Sequence, residues 1–262
     1  MRGQADAISL AEDYLDSDLM VIFVDTLFGA DLSVVTNLKD ADGMAFVSEV
    51  PDPSRFGIAV VGKDGYITKL VEKPQNPESN LALVGLYYFK DARWLVRAIH
   101  TLMDSGRSLK GEYYLADAIQ VMIDEGAKML TQTVSVWEDT GTFEAVLHAN
   151  RHLLRGMDAH TEPYMVGSSL VVPPCYISPD AYVEHSIIGP YTSVSEGAEI
   201  RDSIVKNSII SAKAKVTGAM LFGALIGERS QTQGSYQVVN LGDDSTSRIV
   251  GADQATIDET FT

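Results

Sequence analysis

The sequence predicts an α/β domain followed by a parallel β-solenoid of hexapeptide repeats. Two observations carry this. Up to about residue 155, apolar strand-like runs alternate with amphipathic helix-like runs, the pattern of helices layered on a largely parallel sheet. Beyond about residue 163, apolar residues instead recur every five or six positions, running Ile177, Val183, Ile188, Val194, Ile200, Val205, Ile210, Val216, Leu221, Ile226 and on through Thr232 and Val238.

In the first half, Ala7, Ile8, Ala11 and Leu15 fall at helical spacing within Ala5–Leu15, and Leu19–Val24 is an unbroken apolar run of the kind covered on both faces. It stops at Asp25. Further strands are expected at Met44–Val50, at Phe56–Val61 and Tyr66–Val71 around the turn Lys63-Asp64-Gly65, at Leu81–Phe89 and at Thr133–Trp137. Helices are expected over Ala92–Met103, Tyr113–Glu125 and Thr142–Leu154. In the second half, starts at 177, 194, 210 and 226 give coils of 16 to 17 residues, each with three short strands. Small residues at Pro179-Asp180-Ala181 and Glu196-Gly197-Ala198 suit the corners, and the whole is similar to a left-handed parallel β-helix.

Composition excludes several function classes. With 20 basic and 36 acidic residues the net charge is -16, which repels nucleic acid and anionic membrane surfaces. No apolar run approaches the roughly 20 residues that span a bilayer. The single cysteine, Cys175, and the absence of a leader-like opening point to the cytoplasm. A phosphorylated small molecule remains compatible, because local lysines or a metal ion reverse the potential inside one cleft.

Asp25 and Asp139 each follow an apolar strand, where open α/β sheets place their ligand crevice. Two such carboxylates would hold Mg²⁺, while capping a turn or helix is the plain alternative for each. Lys73, in Glu72-Lys73-Pro74, leaves a strand just before a proline and is placed either to pair with a phosphate or to lie in solvent. Among the five histidines, His148 and His152 stand four apart on one helix and read as surface residues rather than metal ligands.

Taken in order, Val24-Asp25-Thr26-Leu27-Phe28, Asp52-Pro53-Ser54-Arg55-Phe56-Gly57, Glu72-Lys73-Pro74, Pro77-Glu78-Ser79-Asn80, Gly85-Leu86-Tyr87-Tyr88-Phe89, Gly111-Glu112-Tyr113-Tyr114-Leu115-Ala116-Asp117-Ala118 and Trp137-Glu138-Asp139-Thr140-Gly141-Thr142 resemble the sugar-nucleotide pyrophosphorylases of the glucose-1-phosphate thymidylyltransferase type. Ser186-Ile187-Ile188-Gly189-Pro190-Tyr191 and Asn240-Leu241-Gly242-Asp243 are similar to its long, β-helix-bearing branch. The resemblance implies an incomplete Rossmann-like nucleotidyltransferase domain over 1–158, a left-handed β-helix over 163–245 and a tail over 246–262. It implies that Asp25 and Asp139 ligate Mg²⁺, that Glu72 binds sugar hydroxyls and Lys73 the sugar phosphate, and that Gly57, Leu83 and Tyr87 complete the acceptor pocket. Lys110 stands where the family has a phosphate-binding arginine, and Gly3 matches a glycine near the nucleotide base.

The implied reaction joins a sugar 1-phosphate, glucose 1-phosphate by family, to dTTP or UTP with release of pyrophosphate and no covalent enzyme intermediate. The family's Gly-rich loop, G-G-x-G-T-R-L, has no counterpart in this sequence, and Val24 replaces the glycine before the metal-binding aspartate. The expectation is therefore a family member truncated at its N-terminus, a fragment with little activity of its own and exposed apolar strand edges, assembled as a homo-oligomer. Two other readings stand beside it: a non-catalytic sugar-phosphate-binding or oligomerisation subunit, and a β-helix acyltransferase using His185.

Overall fold

The computed structural model describes residues 2–157 and 162–234. The fold divides into two compact units, Met1–Met157 and Asp158–Thr262.

The first unit contains α1 (Gln4–Ser9), β1 (Leu19–Ile22), β2 (Thr26–Gly29), β3 (Gly43–Glu49), β4 (Gly57–Val61), β5 (Ile67–Glu72), β6 (Leu81–Phe89), α2 (Ala92–Asp104), α3 (Leu115–Asp124), β7 (Met129–Thr133), β8 (Val136–Asp139) and α4 (Phe143–Met157). A six-stranded sheet runs β5-β4-β6-β3-β7, with β1 added on β6. Its central strands are apolar at consecutive positions because both faces are covered. Ala45, Val47, Leu83, Tyr87 and Phe89 face α2 and α3, packing with Leu95, Ile99, Leu115, Ile119 and Met122. Met44, Phe46, Val84 and Leu86 face a second cluster with Leu38, Ala41 and Val134. Asp91 caps α2 by accepting from the backbone amides of Arg93 (2.9 Å) and Trp94 (3.3 Å).

Three expectations change. The sheet is mixed rather than largely parallel, since only β3 and β7 run parallel while β1–β6, β3–β6, β4–β5 and β4–β6 are antiparallel. A continuous apolar run reports burial on two faces, and an antiparallel strand beneath helices satisfies it equally well. The Leu19–Val24 run is not buried on both faces either: Ile22 is 50% exposed and Val24 fully exposed. Finally, the first helix stops at Ser9 and resumes only as a 3₁₀ turn, Glu12–Tyr14, because Glu12, Asp13 and Asp16 would place negative charge at the negative end of a continuous helix.

The second unit is a solenoid of about four turns made from three parallel sheets. Ile177, Val194, Ile210 and Ile226 stack in register along one sheet, and Val183, Ile200, Val216 and Thr232 along the next. Ile188, Val205 and Leu221 stack along the third, preceded by Val171. The hexad series therefore faces the axis, where Ile188, Val194, Ile200, Val205, Ile210 and Val216 are all 0% exposed. An extra strand, Tyr164–Val166, adds antiparallel to Ser169–Val171 at the start. Val238, Asn240-Leu241-Gly242-Asp243 and the expected tail over 246–262 lie outside the described residues. No helix among the described residues is long and apolar enough to cross a membrane.

Candidate active site

Seven of the nine candidate residues, Asp25, Gly57, Glu72, Lys73, Leu83, Tyr87 and Asp139, line one cavity of about 220 Å³ in the first unit. Gly3 and Lys110 are not among its lining residues. Gly3 has φ +104°, and a Cβ there would lie 2.6 Å from the Tyr113 carbonyl oxygen, so its smallness lets two backbone segments meet. The adjacent Gln4 does reach the cavity. Lys110 sits at φ +55° in a tight turn closed by mutual backbone bonds between Leu109 and Glu112.

The two aspartates are brought together by a ribbon outside the main sheet. β2, a strand the sequence reading did not foresee, pairs antiparallel with β8 and sets Thr26 opposite Asp139. Asp25 lies in the turn before β2, with its carbonyl accepting from both the amide and the hydroxyl of Thr140 at 2.8 Å. Asp139 Oδ1 accepts from the Gly141 amide at 3.1 Å. A Cβ at Gly141 would lie 3.2 Å from Asp139 Oδ1 and 3.9 Å from Asp25 Oδ2, so both carboxylates converge on this glycine.

Neither aspartate forms an ion pair with a cationic side chain among the described residues. Two facing carboxylates with no counter-charge suit a hard divalent cation, and Mg²⁺ commonly takes one or two carboxylates and completes its shell with water and substrate phosphates. No group of three or more His, Cys, Asp or Glu that could hold a metal occurs among the described residues. His148 and His152 instead approach Glu138 at 2.6 Å and 3.9 Å.

Glu72 and Lys73 line the same cavity. Glu72 ends β5 directly across from Gly57, and a Cβ on Gly57 would lie 2.7 Å from Glu72 Oε2 and 2.9 Å from Leu83 Cδ1. Glycine is thus what allows the carboxyl to lie over the neighbouring strand. Burial raises the Glu72 pKa, Lys73 at 3.8 Å lowers it, and Asp117 raises it again. Tyr87 is raised as well, by burial and then by Glu72. Lys73 has φ +44°, a left-handed conformation uncommon outside glycine, held by its amide donating to the Phe56 carbonyl at 3.0 Å. Its Nζ lies 5.2 Å from the centroid of the Tyr114 ring.

Several lining residues were given no role from sequence. Gly85, at φ +85°, kinks β6 and leaves room for Phe23, whose ring would lie 2.6 Å from a Cβ there. Trp137 meets Phe56 edge-on at 4.9 Å, and its buried Nε1 has no hydrogen-bond partner among the described residues. Arg55 lines the cavity as Lys73 does. All three fall inside quoted motifs, but their placement depends on approaches between separate segments that spacing does not reveal.

A family profile described as Nucleotidyl transferase matches residues 1–156. A glucose-1-phosphate thymidylyltransferase of Streptomyces antibioticus is 33% identical over 93% of this chain and 75% of its own length. One from Streptomyces griseus is 30% identical over 94% of this chain and 76% of its own. Among solved structures, a putative glucose-1-phosphate thymidylyltransferase from Bacillus anthracis in complex with a sucrose superposes with a TM-score of 0.50 at 26% identity. That match covers 61% of this chain and 63% of the other.

Proposed function

The chain belongs to the nucleotidyl transferase family, and from that premise we propose that its cavity takes a sugar 1-phosphate, glucose 1-phosphate first, as acceptor of a nucleotidyl group from dTTP or UTP. The observation that carries this reading is the meeting in one cavity of two unpaired aspartates with the Glu72–Lys73 pair.

The reaction joins an oxygen of the sugar phosphate to the α-phosphorus of the triphosphate, breaks the bond from that phosphorus to the bridging oxygen, and releases pyrophosphate. Asp25 and Asp139 would hold Mg²⁺, which supplies neutralisation of charge on the phosphates when bound. Lys73 pairs with the acceptor phosphate. Glu72 accepts from sugar hydroxyls, and Leu83 and Tyr87 pack beside the ring and exclude water. The chain thus acts by positioning and by charge, and no nucleophilic side chain is required.

Calorimetric titration of glucose 1-phosphate, and separately of dTTP and UTP, in Mg²⁺ tests the proposal. Binding of sugar phosphate by the wild type, weakened roughly tenfold or more in Asp139→Asn if the metal bridges to its phosphate, supports it. Failure of the wild type to bind any of the three ligands refutes it. Sugar phosphate binding without triphosphate binding would support the acceptor half of the reading and overturn the assignment of dTTP or UTP as donor to this chain.

A further inference from the structure

We infer that Arg55 is a second phosphate-binding residue of the acceptor site, gripping the phosphate of the sugar 1-phosphate together with Lys73. The assignment rests on the proposed function and on two independent observations, one of position and one of charge.

Position comes from the β4–β5 hairpin. Gly57 stands opposite Glu72, and one step outward the Lys73 amide donates to the Phe56 carbonyl at 3.0 Å. Arg55 and Lys73 therefore leave neighbouring strands at the same end of the hairpin, and both line the cavity. Lys110 does not line it.

Charge points the same way. The lining carries three carboxylates, Asp25, Glu72 and Asp139, and two cations, Arg55 and Lys73. Glu72 and Lys73 lie 3.8 Å apart and offset each other, and a divalent cation would offset Asp25 and Asp139. That leaves Arg55, which forms no hydrogen bond or ion pair among the described residues and is a minor influence on exposed Asp52, whose carboxyl is lowered chiefly by Ser54. A dianionic sugar phosphate entering this cavity brings charge that Lys73, already engaged by Glu72, cannot offset alone. A guanidinium also presents parallel donors matched to two phosphate oxygens, which an ammonium does not.

The test is calorimetry of glucose 1-phosphate, with unphosphorylated glucose as the uncharged reference, on wild type, Arg55→Gln and Arg55→Lys in Mg²⁺. Arg55 is exposed and forms no hydrogen bond or ion pair among the described residues, so the variants should keep the wild-type melting temperature. The assignment predicts a loss of roughly tenfold or more in glucose 1-phosphate affinity for Arg55→Gln, partial recovery in Arg55→Lys, and no change toward glucose. Wild-type binding matched by Arg55→Gln overturns the Arg55 assignment and leaves the proposed function standing. Absence of wild-type binding overturns both.

Discussion

The Glu72 carboxyl is raised above its ordinary value of 4.5 chiefly by burial, so the folded chain holds that proton more tightly than the unfolded chain. The resulting contribution to stability is fully present below the ordinary value and is lost as pH rises through the raised one. Glu72→Gln removes the buried charge. The variant should melt higher than the wild type at neutral pH, and the difference should close as pH falls below the ordinary carboxylate value. The same variant should bind glucose 1-phosphate roughly tenfold more weakly at neutral pH, since a charge-assisted bond becomes a neutral one. Thermal melts by circular dichroism across this range, paired with calorimetry, check both. A variant that melts lower than the wild type at neutral pH would mean that the Lys73 attraction outweighs desolvation. That Asp25, Asp139 and Lys73 line one cavity was foreshadowed in the sequence, the aspartates by following apolar strands and Lys73 by leaving a strand before a proline, whereas Glu72 was singled out only by the family resemblance. Arg55, Gly85 and Trp137 were not foreshadowed, because the first depends on hairpin register and the others on rings arriving from distant segments.

At the scale of elements, the solenoid was the most legible part, since one apolar residue per short strand writes its period directly into the sequence. What that period does not show is how the corners satisfy their polar groups. Ser203 is 3% exposed; its hydroxyl donates to the Arg201 carbonyl at 2.6 Å and accepts from the Ala219 amide at 3.1 Å. One coil earlier, Ser186 repeats the arrangement, donating to Glu184 at 2.7 Å and accepting from the Ser203 amide at 3.1 Å. Ser203→Ala therefore strips a buried amide of its acceptor and should cost about 1–3 kcal/mol, read as a lower urea midpoint with tryptophan-independent detection by circular dichroism. An unchanged midpoint would mean that water replaces the hydroxyl. The β2–β8 ribbon was harder to read: Thr26–Gly29 is too short to show a period of its own and pairs with Val136–Asp139 more than a hundred positions away, while the strand expected at Thr133–Trp137 is broken at Val134-Ser135 between β7 and β8.

The whole molecule carries 36 acidic against 20 basic residues, and this imbalance decides how it responds to salt. Attractive pairs are present: one face of the solenoid sets Arg201 2.9 Å from Glu184 and Lys215 2.9 Å from Glu199. Each such exposed pair contributes about 0–1 kcal/mol and weakens as salt is added. The repulsion among the excess carboxylates acts over longer distances, so it is screened first as the Debye length falls to about 10 Å near 0.1 M. With a net charge of -16 the relief of repulsion should exceed the loss of pairing. The melting temperature should then rise between about 0.02 M and 0.3 M sodium chloride, with most of the gain in the lower half of that range. A melting temperature that falls over this interval would show that the ion pairs, rather than the excess carboxylates, dominate the electrostatics of the fold. Inside the cavity the proposed roles of Lys73 and Arg55 predict a different outcome, because a phosphate held there is attracted by both cations. Salt that stabilises the fold should therefore weaken glucose 1-phosphate binding, and measuring both on one preparation separates the global field from the local one.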